Sequence, residues 1–158
     1  MLENIKQANR DNLNCHLSDG IEYLPTRVDT ALLLGMGGAT IHSILSKDKK
    51  KLHQLKTIII EPQSMISLPI TFLLEEGYEN DLGCFVYEKR HYPLLRFVYT
   101  GEKKEYREVE KKYGPYVVRN KDKLLLEYLK KEISRLSQFG ENHEGYSQFK
   151  KDLQELEK

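Results

Sequence analysis

No apolar run in this chain of 158 residues approaches the roughly 20 residues that a membrane-spanning helix needs. A helical membrane protein is therefore not expected. The opening stretch, Met1-Leu2-Glu3-Asn4-Ile5-Lys6, lacks the apolar segment of a secretory signal, so the expected location is the cytoplasm. Cysteine is scarce: Cys15 and Cys84 lie far apart and form no CxxC pair. That excludes a disulfide framework and predicts two buried free thiols in a reducing compartment. His16, His42, His53, His91 and His143 fall at no metal-ligand spacing, and no metal site is expected. No Ser/His/Asp set is visible in sequence order. Charge of one sign is also missing. The net charge is +1, so any footprint for nucleic acid must be local. No internal repeat or low-complexity tract breaks the chain. Its length suits one domain with an appendage.

What is present is an α/β pattern over residues 1 to about 100. Residues 1–9 read as a helix end, with Ile5 and Ala8 on one side. Leu13 to Leu17 is a short strand candidate that leads into Ser18-Asp19-Gly20. The apolar run Val28 to Leu34 stops at Gly35-Met36-Gly37-Gly38 and re-enters a helix at Ala39. A glycine turn between strand and helix is a candidate ligand floor, because ligands of such sheets sit beyond the carboxyl ends of the strands. Ile41, Ile44 and Leu45 follow at helical spacing, and Lys47 to Lys51 reads as a solvated basic loop. Thr57-Ile58-Ile59-Ile60 predicts a buried parallel strand that ends at Glu61-Pro62-Gln63. Ser64 or Ser67 is expected to cap the next helix, with Pro69 in its first turn and Gly77 at its end. Strands near 82–88 and 93–100 read as an antiparallel pair.

After Gly101 the composition changes. Lys103 to Lys112 is charged, and Tyr113-Gly114-Pro115-Tyr116 follows. A helix is expected from about Asp122 to Phe139, with Leu125, Leu129, Ile133, Leu136 and Phe139 as its apolar stripe. Gly140 breaks it. A last helix carries Tyr146, Phe149, Leu153 and Leu156, so the two helices predict an antiparallel hairpin.

Several of these fragments, in order, resemble one family. They are Ala8-Asn9, Leu17-Ser18-Asp19-Gly20, Asp29-Thr30 to Leu34 with Gly35-Met36-Gly37-Gly38, and Ile58-Ile59-Ile60-Glu61-Pro62. Leu73-Leu74-Glu75-Glu76-Gly77-Tyr78 and Tyr113-Gly114-Pro115-Tyr116 complete the set. The chain resembles, over nearly its whole length, the TrmK family of bacterial enzymes that methylate N1 of an adenine in tRNA, the adenine-22 type, with S-adenosylmethionine. The resemblance implies a Rossmann-like class I methyltransferase sheet over 1–101 and a coiled-coil helical hairpin over 102–158. It also implies that the first strands of the family's sheet are lacking here, since Met1 falls where the family's second helix ends. Strand 28–34 is then expected to form an unprotected apolar edge open to self-association, and the 13–17 strand to re-pair or fray. Weak cofactor binding by the chain is expected for the same reason. A non-catalytic RNA-binding or partner-binding remnant of the family is the alternative.

By the resemblance, Asp19 and Gly20 meet the adenine of the cofactor; without it they are an ordinary Asp-Gly turn. Gly35, Met36, Gly37 and Gly38 are the further cofactor-binding candidates; they sit where related enzymes carry catalytic side chains, but nothing in this turn can take a proton. The backbone would have to act, through the Gly35 or Met36 carbonyl. A tight strand–helix joint, with Met36 as core filler, is the plainer reading. Gln63 is a candidate to hydrogen-bond the base, and a bare turn is equally compatible. Between Lys111 and Arg135 eight basic residues face Asp122, Glu127 and Glu132, a surplus of five positive charges. Tyr113, Tyr116, Arg119, Lys121, Lys123, Lys130 and Lys131 are therefore candidates for tRNA, the lysines and arginine on phosphates and the tyrosines stacked on unpaired bases. A solvated helix face over core tyrosines fits the same pattern. No catalytic residue is named. Adenine N1 carries a lone pair, so alignment with a methyl sulfonium supplies much of the rate.

Overall fold

The computed structural model describes residues 14–140 and 143–157. Its centre is a four-stranded sheet in the order β1-β2-β4-β3, made of β1 (Thr30–Met36), β2 (Thr57–Pro62), β3 (Tyr78–Glu88) and β4 (Arg90–Tyr99). β1 and β2 are parallel, with Leu32 opposite Ile59. β4 runs antiparallel to both β2 and β3. The β-branched run Thr57 to Ile60 supplies the inner strand, buried at Ile58 and Ile60.

Helices α1 (Gly38–Ser46) and α2 (Lys49–Gln54) connect β1 to β2, and α3 (Ser67–Glu75) connects β2 to β3. Beyond β4 come α4 (Glu108–Tyr113), α5 (Pro115–Arg119), α6 (Lys123–Ser137) and α7 (Glu144–Glu157). The core gathers Leu33, Ile58, Ile60, Leu95 and Phe97 from the sheet with Ile41, Leu45, Ile70 and Leu73 from α1 and α3. It continues without a break into Val109, Val117, Leu125 and Leu129 of the C-terminal helices. The other face of the sheet stays open among the described residues. Leu32 is 61% exposed on β1, and Leu34 and Leu82 are exposed on either side of half-buried Ile59 and Leu94. Arg96 crosses this face and clamps Asp81 through two hydrogen bonds of 2.9 and 2.8 Å.

Several sequence expectations need correction. Residues 14–17 form no strand and lie exposed, and the helix end expected over 1–9 lies outside the described residues, as does Leu13. The thiols are not both buried: Cys15 is exposed and Cys84 half-buried, and both are free. The basic stretch after Lys47 is not a loop, because Asp48 caps α2 by accepting from the amides of Lys50 and Lys51. Neither Ser64 nor Ser67 caps α3; its first turn follows Ile66, without a side-chain cap. Gly77 does end α3, at φ +87°, where an added Cβ would lie 3.1 Å from the backbone of Gly101. Asp122 caps α6 through Leu125, but Phe139 falls beyond that helix and is exposed rather than part of its stripe.

Candidate functional site

The carboxyl end of β1 is built by glycine. Gly35 takes φ +72° at a register shift between Leu34 and Met36, so the strand swells just before the turn. Its N–H donates to Glu61 Oε2 at 2.6 Å, fastening the bulge to the end of β2. The Met36 carbonyl accepts from the Gln63 amide at 2.9 Å, and the Gly38 amide donates to the Ser64 carbonyl at 2.7 Å. At Gly38 an added Cβ would run into the Met65 carbonyl and lie 2.7 Å from the Ser64 oxygen. The turn is therefore a backbone-to-backbone joint with the segment after β2. One lone pair of the Met36 carbonyl is already committed to that joint.

The amino end of α1 faces a cleft of about 550 Å³ lined by Ser18, Asp19, Gly20, Ala39, Thr40, Ser43 and Ile44. Gly20 is needed by close approach, since an added Cβ would sit 2.8 Å from Lys47 Cγ and 3.1 Å from the Ile44 carbonyl. Asp19 Oδ2 accepts from Lys47 Nζ at 2.8 Å, yet the Asp19 side chain is 88% exposed. The hydrogen bond and charge of Lys47 hold the Asp19 carboxyl below its ordinary range. Asp19 Oδ1 has no protein partner among the described residues. The cleft thus offers a carboxylate acceptor beside the hydroxyls of Ser18, Thr40 and Ser43. That donor and acceptor set suits a nucleoside with an exocyclic amine. Asp19 and Gly20 share this cleft with Ala39, Thr40 and Ser43 of α1, which starts at the glycine turn.

A second cleft, of about 350 Å³, opens on the other flank of the glycine joint. Gln63 lines it together with Ser64, Met65, Tyr113, Tyr128 and Phe149. Tyr113 corrects the sequence reading: it is 5% exposed, a core residue whose hydroxyl donates to Asp152 Oδ2 at 2.8 Å. Burial, followed by the neighbouring Asp152 carboxylate, pushes its hydroxyl far up, so it stays protonated. Its ring is not an open stacking surface. Tyr116 is half-buried, and its amide donates to Asn80 Oδ1 at 2.9 Å.

The basic candidates do not behave alike. Arg119 Nε donates to Glu110 Oε1 at 2.7 Å, and its guanidinium lies 5.8 Å from the centre of the Tyr106 ring. Lys130 Nζ is 3.8 Å from Glu157, and Lys131 Nζ stands 5.3 Å over the Tyr87 ring. Lys121 and Lys123 are exposed with no ion-pair partner among the described residues. Sequence reasoning placed Glu61 at the strand end without a partner and did not single out Met65 or Asp152. Asp152, 3% exposed, accepts from Lys112 Nζ at 3.0 and 3.1 Å and from Gln148 as well as from Tyr113, so it ties α7 to α4. No sequence signal links partners about 40 residues apart. Among the described residues no helix is long and apolar enough to cross a membrane, and no group of three or more metal-ligating side chains converges.

Comparison with known proteins adds a frame to this geometry. Residues 2–158 match the family model described as "TrmK: tRNA (adenine(22)-N(1))-methyltransferase". No curated protein matches. Among solved structures, a Streptococcus agalactiae protein of the NADB-Rossmann superfamily is similar at 21% identity and a TM-score of 0.82, over 99% of this chain and 72% of its own. A Streptococcus pneumoniae protein, described as a candidate tRNA (m1A22) methyltransferase and solved with S-adenosyl-L-methionine, is 17% identical with a TM-score of 0.81 over the same shares, 99% and 72%. The M. capricolum TrmK structure, which holds S-adenosyl-homocysteine, is 22% identical with a TM-score of 0.76, again over 99% and 72%. The likeness is one of fold: an open Rossmann-type sheet.

Proposed function

The chain belongs to the TrmK family, the tRNA (adenine(22)-N(1))-methyltransferases, and from that premise we propose that it transfers the methyl group of S-adenosylmethionine to N1 of an adenine in tRNA. The observation that carries the reading is the juxtaposition at β1. An ionised, exposed Asp19 with serine and threonine hydroxyls lies on one flank of the glycine turn, and a neutral aromatic cleft lies on the other. Asp19, Gly20 and the Gly35–Gly38 turn hold the cofactor, which supplies an electrophilic methyl group when bound. The Asp19 carboxylate accepts from the exocyclic amine of the cofactor's adenine, and the hydroxyls of Ser18, Thr40 and Ser43 serve its polar rim. The chain's part in the reaction is alignment. The glycine joint fixes the floor, so that a base nitrogen with a lone pair meets the methyl group in line. Gln63, Tyr116, Arg119, Lys121, Lys123, Lys130 and Lys131 form the tRNA side, with the lysines giving affinity that falls as salt rises.

The same reading places the chain in the cytoplasm, with residues 1–101 as the Rossmann-like domain and 102–158 as a coiled-coil helical hairpin. A second reading is favoured by the edge position of β1 and its exposed Leu32 and Leu34: an RNA-binding or partner-binding protein without methyl transfer, able to self-associate through that edge. Calorimetric titration with S-adenosylmethionine, followed by transfer of labelled methyl to a tRNA transcript, separates the two. Micromolar cofactor binding with labelled 1-methyladenine upholds the first. RNA binding without cofactor binding upholds the second.

A further inference from the structure

The 350 Å³ cleft between the turn after β2 and helices α4, α6 and α7 has features that the cofactor side does not explain. Its lip is Met65, which holds φ +46° and leaves its side chain 62% exposed. A left-handed backbone on a long apolar residue costs about 1–3 kcal/mol and collects at functional sites. Here it is locked in place, because the Met65 carbonyl is the group that only a glycine at 38 can accommodate. The wall is aromatic. The Tyr128 and Phe149 ring centres stand 6.0 Å apart at 86°, and those of Tyr113 and Tyr128 stand 6.4 Å apart at 71°. The polar lining is the Gln63 and Gln148 amides, the Ser64 and Ser67 hydroxyls and the paired Lys112 and Asp152.

The charges beside this cleft are internally neutralised. Lys112 donates to both oxygens of Asp152, and Tyr113 and Gln148 complete that carboxylate's shell. Burial pushes the Tyr128 hydroxyl up to about 12, so it too stays neutral. A phosphate would find no unpaired cation there. A flat heteroaromatic ring would find a thioether and aromatic faces to lie against and amides to read its edge. The volume lies within the range of roughly 300–1,000 Å³ that small-ligand pockets occupy.

We infer that this cleft receives an unpaired nucleobase of the RNA, held between Met65 and the Tyr128–Phe149 wall and read by Gln63 and Gln148. The inference rests on the methyltransferase reading, since that reading places the acceptor next to the glycine turn. It makes Met65 and Gln148 substrate-positioning residues.

The test uses the full chain and a tRNA transcript with 2-aminopurine at the target adenine, whose emission reports unstacking. Met65→Asn removes the lip but tolerates a left-handed backbone; Lys123→Ala serves as a comparison outside the cleft. The wild-type chain is expected to change the emission at saturation. Met65→Asn is expected to abolish that change and lower kcat/KM for tRNA about tenfold, the worth of one lost stacking contact, with unaltered affinity for S-adenosylmethionine. Lys123→Ala is expected to weaken tRNA binding while the emission change at saturation persists. An emission change identical in Met65→Asn and wild type, with methyl transfer intact, overturns the cleft assignment and leaves the methyltransferase reading standing. A wild-type chain that binds neither tRNA nor cofactor overturns the reading, and the inference with it.

Discussion

The two flanks of the sheet are held together by different physics. At the β1 flank the contacts are mostly backbone to backbone, with the Glu61 carboxylate accepting from the Gly35 amide. The glycine turn meets the 63–65 segment through amide and carbonyl groups, while the side chains around it, such as Asp19, Leu32 and Met65, stand in solvent. At the C-terminal flank the contacts are buried charges. Glu110 accepts from the Arg107 amide at 3.0 Å and from Arg119 at 2.7 Å, and Asp152 gathers Lys112, Tyr113 and Gln148. The first flank keeps its shape through glycine and exposes side chains such as Asp19, one of whose carboxylate oxygens is held by Lys47. The second satisfies its buried carboxylates internally and, among the described residues, keeps unpaired charge only on exposed side chains such as Lys121 and Lys123.

The largest test of this contrast is Gly38→Ala. The new methyl group meets two carbonyl oxygens on an adjoining backbone, so a loss of about 3 kcal/mol is expected. At roughly 2–4 °C per kcal/mol, thermal unfolding should report a fall of about 6–12 °C. An unchanged melting temperature would mean that the 64–65 segment yields freely and that the joint is not rigid. Next comes Asp152→Ala, which leaves Lys112 and the buried Tyr113 hydroxyl without their shared acceptor. A loss of about 2–3 kcal/mol in chemical denaturation is expected. A double variant with Tyr113→Phe should recover part of it.

Glu110 sharpens the comparison through pH. Burial, the largest single influence, raises its carboxyl pKa, but the Arg107 amide and the Arg119 and Arg107 side chains outweigh burial and bring it below the ordinary value. A depressed carboxyl stabilises the fold above its unfolded pKa, and that contribution disappears as pH falls through the folded value. Wild type should therefore lose stability below about pH 4.5, while Glu110→Gln should lose about 1 kcal/mol at neutral pH and show a flatter acid limb. A parallel acid limb in the two proteins would assign that sensitivity elsewhere. The smallest structural effect is expected of Asp19→Asn. It should leave the melting temperature unchanged, because the pair with Lys47 is solvent-exposed. Calorimetry should nonetheless show S-adenosylmethionine binding about fivefold weaker, the loss of one charge-assisted hydrogen bond.

Much of the frame was legible in the sequence where one residue type dictates local geometry. The β-branched run Thr57 to Ile60 became the inner strand, the glycine turn ended β1, Gly77 ended α3, and Asp122 opened α6. Readings failed where a tertiary contact decided the outcome. Tyr113, left open between a stacking surface and the core, is core, with its hydroxyl on Asp152 of α7. Phe139 matched the helical period yet falls past the last turn. Glu61 read as a strand end, and only the fold brings it to the Gly35 amide. Nothing local distinguishes Met65 from a core methionine; its left-handed backbone and exposure arise from the strand–helix joint opposite it.

That exposed thioether also gives the protein a chemical weak point. Met36, the other methionine among the described residues, is half-buried beneath the turn, so peroxide in solution meets Met65 first. Oxidation there turns a polarizable apolar group into a polar sulfoxide without disturbing the core. A preparation aged in air would then keep its melting temperature while losing its grip on RNA, and a methionine sulfoxide reductase would restore it.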